Sequence, residues 1–292
     1  MTRLTCLALA LLCCAGTLAA QETQSTSKMA KYIYFEDVKV NSGKYSVFAK
    51  QMTELREAAA TAAPDSYWIA GSPITGDSGA VSFVTFQNSM AGVEQFMAAM
   101  DKIGAAARAK DASWEQEDAE SAGGALMDLA KYNEALSLRP DAVPLAQTAY
   151  WSSEVFQLRP GCGHQFEEAV KAVMDLHKKA DDNAHWVAYD LMSGPSLPAV
   201  LFVRPMKSLA EEDEEPPAAA KELFQSAMVR QMLSSTGREC IAHISGAFHK
   251  MEPGLSRPMP ELVSANPSFW TVKEQTVSNT PMKMKKGKKK KM

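Results

Sequence analysis

Long apolar runs are scarce in this chain of 292 residues, and beyond residue 20 none is long enough to cross a bilayer of about 30 Å. Cysteine is scarce too, with five residues, too few for a disulfide scaffold. Glycine (16) and proline (15) stand at ordinary levels, which excludes collagen-like and linker-dominated chains. No P-loop, G-x-G-x-x-G or G-x-S-x-G occurs, so nucleotide binding and α/β-hydrolase chemistry have no support. The five histidines, His164, His177, His185, His243 and His249, form no H-x-x-x-H and no cysteine–histidine cluster, so no metal is expected. What is present is 46% apolar and 22% charged residues, enough to bury a large core.

The two ends distort these averages. Met1-Thr-Arg3 is basic, Leu4 to Cys14 is apolar, and Ala15 to Ala20 is rich in small residues. That order reads as a secretory signal peptide over residues 1–20, cleaved near Ala20, which makes the mature protein exported, periplasmic or secreted. At the other end, seven lysines crowd the last ten residues. A block of that kind self-repels and is expected to be disordered, giving a Lys-rich tail over 271–292. Setting aside Arg3 and those seven lysines leaves 23 basic residues of 31 against 34 acidic ones, so the body carries about −11 rather than −3. The tail suits an anionic surface through residues 283–291, at roughly 1 kcal/mol per lysine. It equally suits the chain's own acidic run Glu211-Glu-Asp-Glu-Glu215.

The body repeats itself. At a spacing of 118, Phe48 faces Phe166, Trp68 faces Trp186, Ala70 faces Ala188 and Gly76 faces Gly194. One residue is then gained, and at 119 Phe83-Val84 faces Phe202-Val203, Lys131 faces Lys250 and Leu136-Ser137 faces Leu255-Ser256. Each copy reads as one order of elements. Tyr32 to Val40 and Tyr150 to Leu158 are first strands, ended by Gly43 and Gly161. Phe48, Met52, Leu55 and Ala59 mark a helix face, matched by Phe166, Val170, Val173 and His177. Second strands are expected at Tyr67 to Ala70 and His185 to Tyr189, third strands at Val81 to Phe86 and Val200 to Val203. Helical regions follow Ser89 and Ser208, the latter broken by Pro216-Pro217, and fourth strands fall at Gly123 to Ala130 and Ile241 to Phe248.

The order β-α-β-β-α-β is ferredoxin-like. Two such units, 31–148 and 149–270, resemble the dimeric α+β-barrel superfamily in a fused, tandem form. The resemblance rests on element order and duplication, not on a diagnostic motif. It implies an α+β fold in which two ferredoxin-like repeats pack sheet to sheet as an intramolecular barrel, with helices outside. The superfamily includes cofactor-independent monooxygenases, haem-degrading enzymes, chlorite-dismutase-like and dye-decolourising haem peroxidases, and binding proteins. The G-x-x-D-G signature of the dye-decolourising peroxidases is absent. In a sheet ordered 4-1-3-2, Cys162, just past the first strand of copy two, and Cys240, just before its fourth, fall side by side, so a disulfide is expected.

Candidate chemistry comes from matched polar and aromatic positions. Glu36 and Glu154 occupy equivalent places on the first strands and would serve as an acid–base pair across a pseudo-twofold axis; the plainer reading is solvated strand ends. Trp68 and Trp186, with Tyr67 and His185 beside them, suit a flat ligand or serve as core fillers. Trp151 and Trp270 are expected to seal the edges of their copies. His243 and His249 lie six apart in phase on one strand, and any of the histidines would serve as an axial ligand if haem were bound. Two functions follow. One is binding of a small apolar or aromatic ligand, or assembly with a partner, with no cofactor. The alternative is a cofactor-independent oxygenase or haem-dependent oxidase using His185 or His243 with Glu36 or Glu154; a cavity holding both a histidine and a carboxylate would favour it.

Overall fold

The computed structural model describes residues 29–76 and 79–271. The leader expected over 1–20 and all of the Lys-rich tail after Thr271 lie outside the described residues.

The first half runs β1 (Tyr32–Val40), α1 (Tyr45–Ala62), β2 (Ile69–Pro73), β3 (Ala80–Gln87), α2 (Met90–Lys110), α3 (Trp114–Ser121) and β4 (Ala122–Tyr132). The second runs β5 (Tyr150–Leu158), α4 (Gly163–Ala180), β6 (Val187–Leu191), β7 (Ala199–Met206), α5 (Ala218–Gln225), α6 (Ala227–Cys240) and β8 (Ile241–Met251). The first strands keep the expected bounds because a glycine in the left-handed region follows each, Gly43 at φ 76° and Gly161 at φ 83°. The expected helix stripe is buried in α1, at Phe48, Met52, Leu55 and Ala59. In α4, of the four expected positions, only Phe166 is buried, the load passing to Ala169, Met174, Leu176 and Ala180. The two serines start different helices. Ser89 Oγ accepts from the Gly92 amide at 3.0 Å and opens the 21-residue α2. Ser208 and Glu211 form a capping box over a single 3-10 turn, and the helix resumes only after Pro217.

The eight strands close a barrel in the order β1-β3-β2-β8-β5-β7-β6-β4. Each half therefore contributes four neighbours, β4-β1-β3-β2 and β8-β5-β7-β6, antiparallel throughout. The halves join edge to edge through two short ladders. Gly71 to Pro73 of β2 pair with Met251 to His249 of β8, and Ala130 to Tyr132 of β4 pair with Leu191 to Tyr189 of β6. An expectation of two sheets facing each other leaves out these ladders, which no local pattern marks.

The second strands start two residues later than expected because Trp68 and Trp186 are held by the opposite half. Trp68 bridges Arg257, its indole N–H donates to Leu255 O at 2.9 Å, and Ser256 Oγ accepts from the Ala70 amide at 2.8 Å. Trp186 bridges Leu138, donates to Leu136 O at 2.7 Å, and Ser137 Oγ accepts from the Ala188 amide at 2.9 Å. Each half thus sends a strap from the end of its last strand over the second strand of the other.

Cys162 and Cys240 are bonded, with Cα atoms 5.2 Å apart. Their adjacency follows from β5 lying beside β8, where Arg159 donates to Cys240 O at 2.7 Å. At the matching junction Lys44 pairs with Glu120 at 2.8 Å. Helices cover the outside of the barrel. One outer core gathers Phe48, Met52, Leu55, Trp68, Val81 and Ile103, the other Leu136, Leu158, Phe166, Ala188 and Val200.

Candidate functional site

Strand alternation decides which side chains enter the barrel. On β1 these are Ile33, Phe35 and Asp37; on β5, Trp151, Ser153 and Val155. Ile33 and Phe35 join Ala130, Val187, Tyr189, Leu201, Val84 and Val203 in an inner apolar cluster. Register then brings polar groups onto one arc of this wall. Asp37 lies opposite Ser82, whose hydroxyl donates to its Oδ1 at 2.5 Å. Asp128 lies opposite Phe35 on β4. His249 lies opposite Trp151 on β8, the two rings stacked at 4.7 Å and 5°. The arc runs across β4, β1, β3, β2 and β8.

Glycine makes room for it twice. A Cβ on Gly71 would stand 1.7 Å from the Trp151 ring, so the indole crosses β2 only because residue 71 has no side chain. Gly194, at φ 103° in the β6–β7 turn, lies against Asp128, and a Cβ there would stand 2.0 Å from its Oδ1. Asp128 is 7% exposed and His249 8%. Asp128 Oδ1 and His249 Nδ1 are buried and have no hydrogen-bond partner among the described residues. Leaving such a group unsatisfied costs about 1–3 kcal/mol. Burial, then the charge of Asp37, raises the Asp128 carboxyl above the usual carboxylate range. Burial lowers the His249 imidazole, against the opposing pull of Asp37 and of a backbone hydrogen bond to Ala247. A carboxyl biased to its protonated form and an imidazole biased to its neutral form share one wall. At spacings of 118 or 119 the opposite wall carries Val155, Leu201 and Ala247 where this one has Asp37, Ser82 and Asp128. The two carboxylates and Ser82 thus belong to one side only.

Of the residues singled out from the sequence, His249 falls on this wall, as does Trp151, expected at an edge but crossing the interior instead; the others fall elsewhere. Glu36 and Glu154 sit on the outer faces of β1 and β5, which are diametrically opposite in the strand order, so they form no pair. Glu36 is half-buried, its carboxyl raised by burial and then by Asp118 and Asp37; Glu154 is exposed. Trp68 and Trp186 pack in the outer layer, Trp186 against His177 and Phe202. Tyr67 lies under the Arg257 guanidinium at 5.0 Å. His185 is buried with its ring nitrogens at 2.9 Å from Asn183 O and 2.8 Å from Pro205 O, and His243 is exposed on β8. Sequence reasoning missed Asp37, Ser82 and Asp128. Asp37 is in phase with Ile33 and Phe35, which was a usable signal. Both faces of β1 carry apolar residues, however, and only closure reveals which is the interior.

Among the described residues no group of three His, Cys, Asp or Glu side chains is placed to hold a metal ion, and no helix is long and apolar enough to cross a membrane.

No family model matches the chain. No curated protein matches it. Solved structures do. An anthrone oxidase-like protein aligns at 14% identity over 78% of this chain and 93% of its own, with a TM-score of 0.47. Chlorite dismutase from Candidatus Nitrospira defluvii, in complex with imidazole, aligns at 9% over 82% of this chain and 95% of its own, with a TM-score of 0.46. A haem-binding protein from Thermus thermophilus aligns at 9% over 76% and 92%, with a TM-score of 0.44. At these identities and scores the likeness assigns no role to any residue.

Proposed function

We propose that this chain is an exported binding protein for a small, largely apolar or aromatic ligand that carries a hydrogen-bonding group. It is built as two ferredoxin-like units, 31–148 and 149–270, closed on each other as an intramolecular dimeric α+β barrel. The reciprocal straps and the 4-1-3-2 strand order of each half support the tandem reading. One observation carries the functional reading: Asp128 Oδ1 and His249 Nδ1 stand buried and unpartnered on one arc of an otherwise apolar interior. Native proteins pair nearly all such groups, so a ligand donor for Asp128 and a ligand partner for His249 account for both. Solvent extraction of the purified protein followed by mass spectrometry tests this. A small molecule is expected from the wild type and should be depleted from Asp128→Asn; identical extracts from the two would overturn the reading.

A second reading is acid–base enzymology on the same wall, favoured by His249 facing the interior together with Asp37 and Asp128. Asp128 as acid and neutral His249 as base match the directions in which their environments push them. Haem fits this wall poorly. His249 lies flat on Trp151, which is packed with Ile69, Met251, Phe86 and Val203, and an axial role would require giving up that stack. Titration with haemin should leave the Soret band of free haemin unshifted.

Export and the basic tail belong to the same proposal. Binding to anionic vesicles should weaken with salt and vanish on deleting residues 281–292.

A further inference from the structure

The last strand of the first half is longer than its neighbour across the junction. β4 has 11 residues and β6 has 5, and β6 pairs only with Ala130 to Tyr132. One residue further along β4, Leu129 O accepts from the Met192 amide at 2.7 Å, and the Leu129 amide donates to Ser193 Oγ at 2.8 Å. These two bonds fix the phase of the edge. Register with β1 is regular from Ala125 to Lys131, so odd-numbered residues of this stretch turn their backbone groups away from β1. The N–H and C=O of Ala125 and Met127 therefore face outward, and among the described residues no strand lies beside them.

Edge strands are usually guarded by charge or proline, and Ala122-Gly-Gly-Ala-Leu-Met127 has neither. Leu126 and Met127, with Met192 and Leu197 of the adjoining β6–β7 turn, are between 43% and 53% exposed. They form an apolar rim around the open edge. At a spacing of 119 the second half carries Ser245 and Gly246 in place of Leu126 and Met127, so its edge lacks this pair. Lipid would cover the side chains but leave the backbone groups unsatisfied. Another strand covers both.

We propose that the β4 edge pairs antiparallel with the β4 edge of a second copy of this chain, about a twofold axis at Ala125. In that register Ala125 meets its own counterpart as a hydrogen-bonded pair. Met127 then lies opposite Gly123 of the second copy, and Leu126 opposite its Gly124. Each large side chain is set against a glycine, and a Cβ on Gly124 would meet nothing within 4 Å of the single chain. A twofold axis sets its central residue against itself, where a charge would repel, and alanine stands there. The pairing does not rest on the ligand proposed for the interior.

The test is sedimentation equilibrium of the full chain, with amide hydrogen exchange. The wild type should dimerise reversibly, and the Ala125 and Met127 amides should gain protection as concentration rises. Ala125→Lys and Ala125→Glu should each weaken dimerisation at least about tenfold while melting like the dilute wild type. Mixing the two should restore the dimer, since lysine then faces glutamate. Ile244→Lys, at the matching exposed position of β8, should leave dimerisation unchanged. A wild type that stays monomeric, including one that floats with phosphatidylcholine vesicles instead, would overturn the proposal. So would undiminished dimerisation of both Ala125 variants, a mixture that stays monomeric, or loss of the dimer in Ile244→Lys.

Discussion

Asp128 shows how one residue can trade stability for a site. Its carboxyl is raised by burial and then by Asp37, so the folded chain holds that proton more tightly than the unfolded chain does. The stabilising contribution is therefore complete below the ordinary aspartate value of about 3.9 and is lost as pH rises through the raised one. Asp128→Asn should leave the melting temperature nearly unchanged at pH 3 and raise it at pH 7; equal effects at both would rule out an ionisable origin. Gly71 is the opposite case. A methyl group there meets the Trp151 ring at 1.7 Å, so Gly71→Ala should cost about 1–3 kcal/mol in urea unfolding and alter tryptophan emission. The position 118 residues on from Gly71 is Tyr189, while Trp151 and His249 stand where the first half has Ile33 and Ala130. Large and small residues have exchanged places between the halves, which keeps the interior filled.

At the level of elements, the junction between the first strand and its helix is clamped differently in the two halves. Lys44 and Glu120 form an exposed ion pair, worth at most about 1 kcal/mol. Cys162 and Cys240 close a loop across a separation of 78, for which chain entropy allows about 4 to 5 kcal/mol. Reduction should lower stability by up to that amount, and Lys44→Ala by far less, in parallel denaturant titrations. The straps are the other element-scale device. Ser137 and Ser256 each accept one amide bond from the opposite half's second strand. Ser137→Ala and Ser256→Ala should each cost about 1 kcal/mol, and unequal losses would show that the two straps carry different loads. First strands and the α1 stripe were legible in the sequence because alternation and i, i+4 spacing are local. The later start of β2 and β6 was not, because Trp68 and Trp186 are claimed by residues far along the chain.

For the whole molecule, closure makes the halves interdependent. Cut between residues 148 and 149, either half would expose its second and fourth strands as open edges beside an uncovered apolar inner face. Residues 31–148 alone should self-associate or fail to give a cooperative melt, and a stable monomer of that fragment would contradict this. The intact chain should unfold in a single transition, since both ladders and both straps must break together.

The candidate site divides along the same line. Composition, alternation and the repeat at 118 and 119 determined the element order, the duplication pattern and the cysteine positions, because each is a local or translational property of the chain. Which face of each strand became the interior was decided only by tertiary structure. Barrel strands carry apolar residues on both faces, and the short β2–β8 and β4–β6 ladders choose between them. That choice turned Glu36 and Glu154 outward and placed Asp37, Asp128 and His249 on one inner wall.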